Sequence, residues 1–313
     1  MITMRRTSFL IPIAVLFILV LTIVLIFRSR IKSEEPYRGV STYTYPPYTD
    51  NSSHNTFDLH VASVCQGTDC LKSFENMQSS LNRRGFKLHR IEIQGSFSWI
   101  NLALAYADFA QSRIPLDSLV VFIDASDVLA QGCAVELVNR YERLVRLQHK
   151  SILLGVESHC SNPRKCHKLQ NIHPPIKRIR SNELHYINGG FVMGTVAACE
   201  AAWREIARRF EDTQLGWGQY ADEHPDIVAL DWNQEVVASN TAEEWTRSFQ
   251  VVPGIGVEHI EKLNNGTVAS PQPIFLHALC HTCSDSHPTG KGGPKAFKVL
   301  SDLIRSANVS CMT

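Results

Sequence analysis

Two aspartates, Asp124 and Asp127, stand three residues apart in LVVFIDASDVLAQG, directly after a run of apolar residues that begins at Leu119. The run reads as a buried central strand, so the two acids arrive as the chain leaves a sheet. In open α/β sheets, ligands bind outside the carboxyl ends of strands. Two carboxylates so spaced can hold one hard divalent cation, and such a cation can neutralise a diphosphate. The same pair can instead cap a helix starting after Gly132 or form an Asx-turn. His277 in PIFLHALC closes another apolar run, where a lone histidine is more often a satisfied core residue; its strand-end position sets it above His281 and His287.

The elements that must position these residues alternate in type. LHVASV from Leu59 reads as a strand, followed by an amphipathic stretch through Leu81. LHRIEIQG predicts a strand ending at Gly95, WINLALAYADFA a helix, CAVELVNRYERLVRL a helix and SILLGVES a strand. YINGGFVMG predicts another strand and ACEAAWREIARRF another helix. Strands alternating with helices imply an α/β domain built on a mostly parallel, Rossmann-like sheet covered on both faces.

The 313 residues suffice for one large domain or two small ones. Thirty-one basic against 30 acidic side chains leave a net charge of +1, so there is no field to gather a polyanion, and no nucleic-acid partner is expected. Residues 9–27 carry no charge, and as a helix rising about 1.5 Å per residue they would reach across hydrocarbon. We expect a cytosolic tail at 1–8, a transmembrane signal anchor at 9–27, a Ser-, Thr-, Tyr- and Pro-rich stem at 28–57 and a catalytic domain at 58–313. Basic residues flank the anchor on both sides and leave its orientation open. Nine cysteines and sequons at Asn51, Asn265 and Asn308 favour an oxidising, glycosylating lumen for the body. The expectation is a single-pass type II membrane protein of the endoplasmic reticulum or Golgi. Cys65 with Cys70, Cys160 with Cys166 and Cys280 with Cys283 are the close pairs, and the odd total leaves at least one cysteine without a partner in the chain.

VVFIDASDVLAQG resembles the metal-binding strand end of the glycosyltransferase domain of the procollagen lysyl hydroxylases, the collagen galactosyl- and glucosyltransferases. Three further segments resemble that family in its order: LGVESHC its Glu-Ser-x-Cys, YINGGFVMG its Asn-containing Gly-Gly-Phe strand, and PIFLHALC its Pro-Ile-x-x-His. Together they span about Asp58 to Lys298. The resemblance implies a nucleotide-sugar glycosyltransferase fold, GT-A-like, with Mn²⁺ bound by Asp124, Asp127 and His277. The donor would be a UDP-sugar carrying galactose or glucose. The acceptor would bear a hydroxyl, hydroxylysine-like or on a glycan.

By the same resemblance, Asn188, Gly189 and Gly190 would lie where donor sugar and acceptor meet, and glycines there let a substrate approach the backbone. Lys295, in the Gly-, Pro- and Lys-containing segment after His277, would meet the diphosphate as a point charge. A solvated basic loop is the other reading of that segment. In ALDWNQEVVA, Asp231 and Gln234 match an acidic run of the family, with Gln234 toward the substrate and Asp231 as the base for the acceptor hydroxyl. Trp232 and Asn233 depart from that run, so Asp222, Glu223 or Asp226 are alternative bases. GSFSWINLAL lacks the family's Lys, and ESHCSNP lacks its aromatic residue after the Cys. The stretch after Lys298 is too short for an iron-binding oxygenase domain. Two other readings stay open: a transferase fold without turnover that binds or scaffolds, and a metal-dependent hydrolase of phosphate compounds.

Overall fold

The computed structural model describes residues 58–278 apart from 67, 94, 126, 159, 161–165, 173–183, 241–248, 253–255, 264–265 and 270–271. The expected tail, anchor and stem, Lys295, Cys280 and Cys283 therefore lie outside the described residues. Among the described residues, no helix is long and apolar enough to cross a membrane.

A six-stranded sheet carries the domain. Its strands are β1 (Leu59–Val64), β2 (Lys87–Ile91), β3 (Leu119–Ile123), β5 (Ile152–Glu157), β6 (Tyr186–Thr195) and β7 (Val228–Leu230), in the order β2-β1-β3-β6-β5-β7, with β4 (Val128–Ala130) outside it. β1 pairs in parallel with β2 and β3, and β5 in parallel with β7. β6 runs antiparallel to both its neighbours, β3 and β5. The sheet is thus α/β and mostly parallel, with a single reversed strand in the middle.

Every residue of β3 is buried, and its side chains alternate between two cores. Val120 and Phe122 join Leu154, Val192, Trp203 and Trp217 on one face. Leu119, Val121 and Ile123 join Met77, Tyr141, Met193 and Phe275 on the other. Helices α1 (Thr68–Asn82), α2 (Trp99–Arg113), α3 (Ala134–Leu144), α4 (Val196–Arg209) and α5 (Thr213–Glu223) cover these faces. α2 starts where Ser98 Oγ accepts from the Asn101 amide, and Ala103, Ala107 and Ala110 give it a small-residue buried face. α4 starts on Thr195 and buries Val196, Cys199, Ala202, Trp203 and Ile206.

A second sheet, β4-β12-β8, positions the site; β8 is Val237–Asn240 and β12 is Phe275–Ala278. β12 pairs antiparallel with β4, setting His277 opposite Val128, and parallel with β8, setting His277 opposite Ser239. β9 (Phe249–Val252), β10 (Gly256–Leu263) and β11 (Gly266–Ala269) form a third, antiparallel sheet. Disulfides join Cys65 to Cys70 and Cys160 to Cys166, and Cys133 is also disulfide-bonded. Among the described residues, Cys199 is the free thiol, on the buried face of α4.

Candidate metal centre at the end of strand β3

The chain leaves β3 at Asp124, turns, and re-enters as β4 after Asp127. Because β4 pairs with β12, this turn brings both aspartates against His277, 150 residues downstream of the second. His277 Nε2 lies 3.3 Å from Asp127 Oδ1 and 4.0 Å from Asp124 Oδ2. One ligand atom from each of the three residues falls within 4.8 Å of the other two. Asp124 is 43% exposed and opens the site to solvent, whereas His277 is only 4% exposed. The three residues expected to share a cation are therefore brought together.

The alternative task for the aspartates, capping a helix, goes elsewhere. Helix α3 begins after Cys133, which makes no side-chain cap. Asp127 Oδ1 is buried, and His277 Nε2 at 3.3 Å is the polar group that faces it. A carboxylate oxygen in the interior is costly unless a proton donor or a cation meets it, and here the imidazolium or a metal ion can do so. Gly190 shapes the same space: a Cβ there would lie 2.5 Å from Asp124 Oδ2 and 2.5 Å from His277 Cε1. Its carbonyl also accepts from the Asp124 amide, pinning the strand end. Two carboxylates and one imidazole around space that only a glycine leaves open suit a divalent cation such as Mn²⁺.

Electrostatics agree. Partial desolvation at the packed strand end, then the neighbouring Asp127 charge, pushes the Asp124 carboxyl upward, against the opposing pull of His277. Burial alone would lower His277, but Asp127, Asp124 and Glu157 outweigh it and raise the imidazole to about 9. In the absence of a metal the site therefore holds a proton on His277 as its positive charge.

The other expected site residues fall into distinct places. Asn188 is buried behind His277, its Oδ1 3.0 Å from His277 Nδ1. Gly189 faces away, and a Cβ there would meet the backbone of Gln214 at 3.4 Å. Gln234, at a positive φ of 51°, reaches the carbonyls of Val156 and Ser239 and so ties β5 to β8. Asp231 is 1% exposed, and its carboxylate accepts from the amides of Glu235, Val236 and Val237. Burial and the charge of Glu235 raise its carboxyl to about 6 despite those bonds. The geometry gives Asp231 the task of folding the turn into β8, with no free oxygen aimed at an acceptor. Asp222 is likewise occupied, accepting from the Gln170 and Asn171 amides with His167 Nε2 at 2.6 Å. Glu223 pairs with Arg209, and Asp226 is exposed on the turn before β7.

Glu157, the acid of LGVESHC, has no role assigned to it from the sequence. It is 2% exposed at the end of β5, accepting from Asn188 Nδ2 at 2.8 Å and from Gln214 Nε2 at 2.6 Å. The available signal was an acid closing the otherwise apolar run ILLGV, the same pattern that marks Asp124.

No protein-family model matches the chain, and no curated protein matches it. Among solved structures, the chain is similar to a glycosyltransferase involved in the glycosylation of the major capsid of PBCV-1, at 10% identity and a TM-score of 0.42, covering 77% of this chain and 98% of that one. It is also similar to the apo bifunctional glycosyltransferase WbbM, at 12% identity and a TM-score of 0.32, covering 59% of this chain and 41% of that one.

Proposed function

We propose that the protein is a metal-dependent glycosyltransferase that moves a hexose, galactose or glucose, from a UDP-sugar to a hydroxyl acceptor with Mn²⁺. The convergence of one ligand atom each from Asp124, Asp127 and His277, in a space that Gly190 leaves open, carries this reading. The sequence resemblance to the collagen glycosyltransferases supports it, because residues from each of its ordered motifs lie together: Asp124 and Asp127, Glu157, Asn188 and Gly190, and His277. A bound divalent cation supplies charge that stabilises the departing nucleoside diphosphate. The chain's own residues would hold it: Asp124 and Asp127 through carboxylate oxygens, His277 through Nε2. Gly190 leaves the room, and β12 fixes the imidazole by its pairing with β4 and β8. Lys295 is assigned to the diphosphate on the resemblance alone.

The reading includes a type II topology with the body in the lumen of the endoplasmic reticulum or Golgi, which the disulfides among the described residues suit. The test is transfer by the full-length chain from UDP-galactose and UDP-glucose onto collagen peptides and glycans, with and without Mn²⁺, beside Asp127→Ala. Metal-dependent transfer lost in the variant is the expected result. Transfer that needs no metal and survives the substitution would remove the mechanism.

A second reading, a transferase fold that binds without turnover, draws on the engagement of Asp231 and Asp222 with backbone amides. It predicts cation and UDP binding but no product on any acceptor.

A further inference from the structure

Behind the three metal-facing groups lies a chain of buried polar side chains whose hydrogen bonds run in one direction. The Gly190 amide can only donate, and it donates to Asn188 Oδ1 at 3.0 Å. The Glu157 carboxylate can only accept, and it accepts from Asn188 Nδ2 at 2.8 Å. These two contacts fix which end of the Asn188 amide is oxygen, an assignment that geometry alone leaves ambiguous. The oxygen therefore faces His277 Nδ1 at 3.0 Å, and that nitrogen must carry the hydrogen. Glu157 is held in turn by Gln214, in the first turn of α5, through Nε2 at 2.6 Å.

We propose that Glu157 and Asn188 are positioning residues that hold His277 with its hydrogen on Nδ1, so that Nε2 is presented to the cation between Asp124 and Asp127. The inference rests on the transferase reading for its purpose, but the relay itself is a property of the folded chain. A ligating histidine whose second nitrogen is fixed by an oriented acceptor is a better and better-aimed ligand. Asn188 sits 3% exposed, so it acts through the imidazole and not as the substrate contact that the sequence suggested.

The donor and acceptor roles can be exchanged without changing side-chain size. Asn188→Asp alone sets a second carboxylate against Glu157. In the double variant Asn188→Asp with Glu157→Gln, residue 188 accepts from His277 and Gly190, residue 157 donates to 188, and Gln214 still donates to 157. The experiment uses the full-length chain labelled with ¹⁵N-histidine, with His277→Gln to assign the signal. Imidazole nitrogen shifts are recorded metal-free near pH 11, well above the range in which the ring loses its charge, and Mn²⁺ affinity is measured by calorimetry near pH 7.

The wild type is expected to show hydrogen on Nδ1 of His277. Asn188→Ala is expected to shift the ring toward hydrogen on Nε2. Cation affinity should fall about 10- to 100-fold in Asn188→Ala and Asn188→Asp and return to within about threefold in the double variant. Hydrogen on Nε2 in the wild type, or a double variant no better than Asn188→Asp, would overturn the relay. The nitrogen shifts need no bound metal, so they decide the relay even if the protein proves to bind no cation and the transferase reading fails.

Discussion

Replacing Gly190 by alanine should close the cation site while sparing the fold. Gly190 does not have a positive φ, so alanine fits its backbone. The new Cβ would stand 2.5 Å from Asp124 Oδ2, 2.5 Å from His277 Cε1 and 3.1 Å from Asp124 Cγ. To restore an ordinary contact of 3.4 Å, carboxylate and imidazole must each retreat by about 0.9 Å. Asp124 is partly exposed and can swing outward, whereas His277 is locked between β4 and β8. The strain should therefore resolve by moving one ligand out of reach, at a stability cost of about 1 to 2 kcal/mol. Metal–ligand distances tolerate only about 0.2 Å, so cation affinity should fall at least about 100-fold. Calorimetric titration with Mn²⁺ measures the affinity and thermal unfolding the stability. A variant that folds and binds Mn²⁺ as tightly as the wild type would refute the placement of the cation between Asp124 and His277.

Other outcomes follow from the electrostatics and packing. With His277 raised to about 9, a cation taking Nε2 displaces a proton, so affinity should climb about tenfold per pH unit and about 100-fold between pH 6.5 and 8.5. A pH-independent affinity would contradict this. The folded-state value of His277 lies above its unfolded one, so the stability it contributes without metal is fully present below about 6.5 and is lost as pH rises through 9, by up to about 3 kcal/mol. Melting temperature should accordingly fall across that range in chelator and hold in saturating Mn²⁺. Asp231→Asn should cost about 2 kcal/mol, because an amide group would meet backbone donors in the turn before β8; unchanged denaturant midpoints would reject that task for Asp231. Cys199, buried and with its thiol pushed well up by desolvation, should resist iodoacetamide in the native state and react only on unfolding.

Much of the site was legible because its residues obey local rules. β3 announced itself as five apolar residues ending in an acid, and alternation of side chains along a strand explains why Gly190 opens to the site while Gly189 faces α5. His277 stood out as a polar residue closing an apolar run. The reversal of β6 was not legible, since a fully buried strand carries the same pattern in either direction. Nor did sequence reveal that Asp231 would be taken by three amides, because nothing in DWNQEVV states which backbone donors the turn will orient toward it. The role of Glu157, though it stands in LGVESHC, was illegible for a related reason: it comes from Asn188, 31 residues on, and from Gln214 on a different element.

The most direct test is equilibrium Mn²⁺ binding, followed by electron paramagnetic resonance, for the wild type beside Asp127→Ala and His277→Ala. The structure predicts one tightly held ion per chain in the wild type, with affinity reduced at least about 100-fold by either substitution. Equal binding by all three proteins, or none by the wild type, would contradict a cation centre at Asp124, Asp127 and His277.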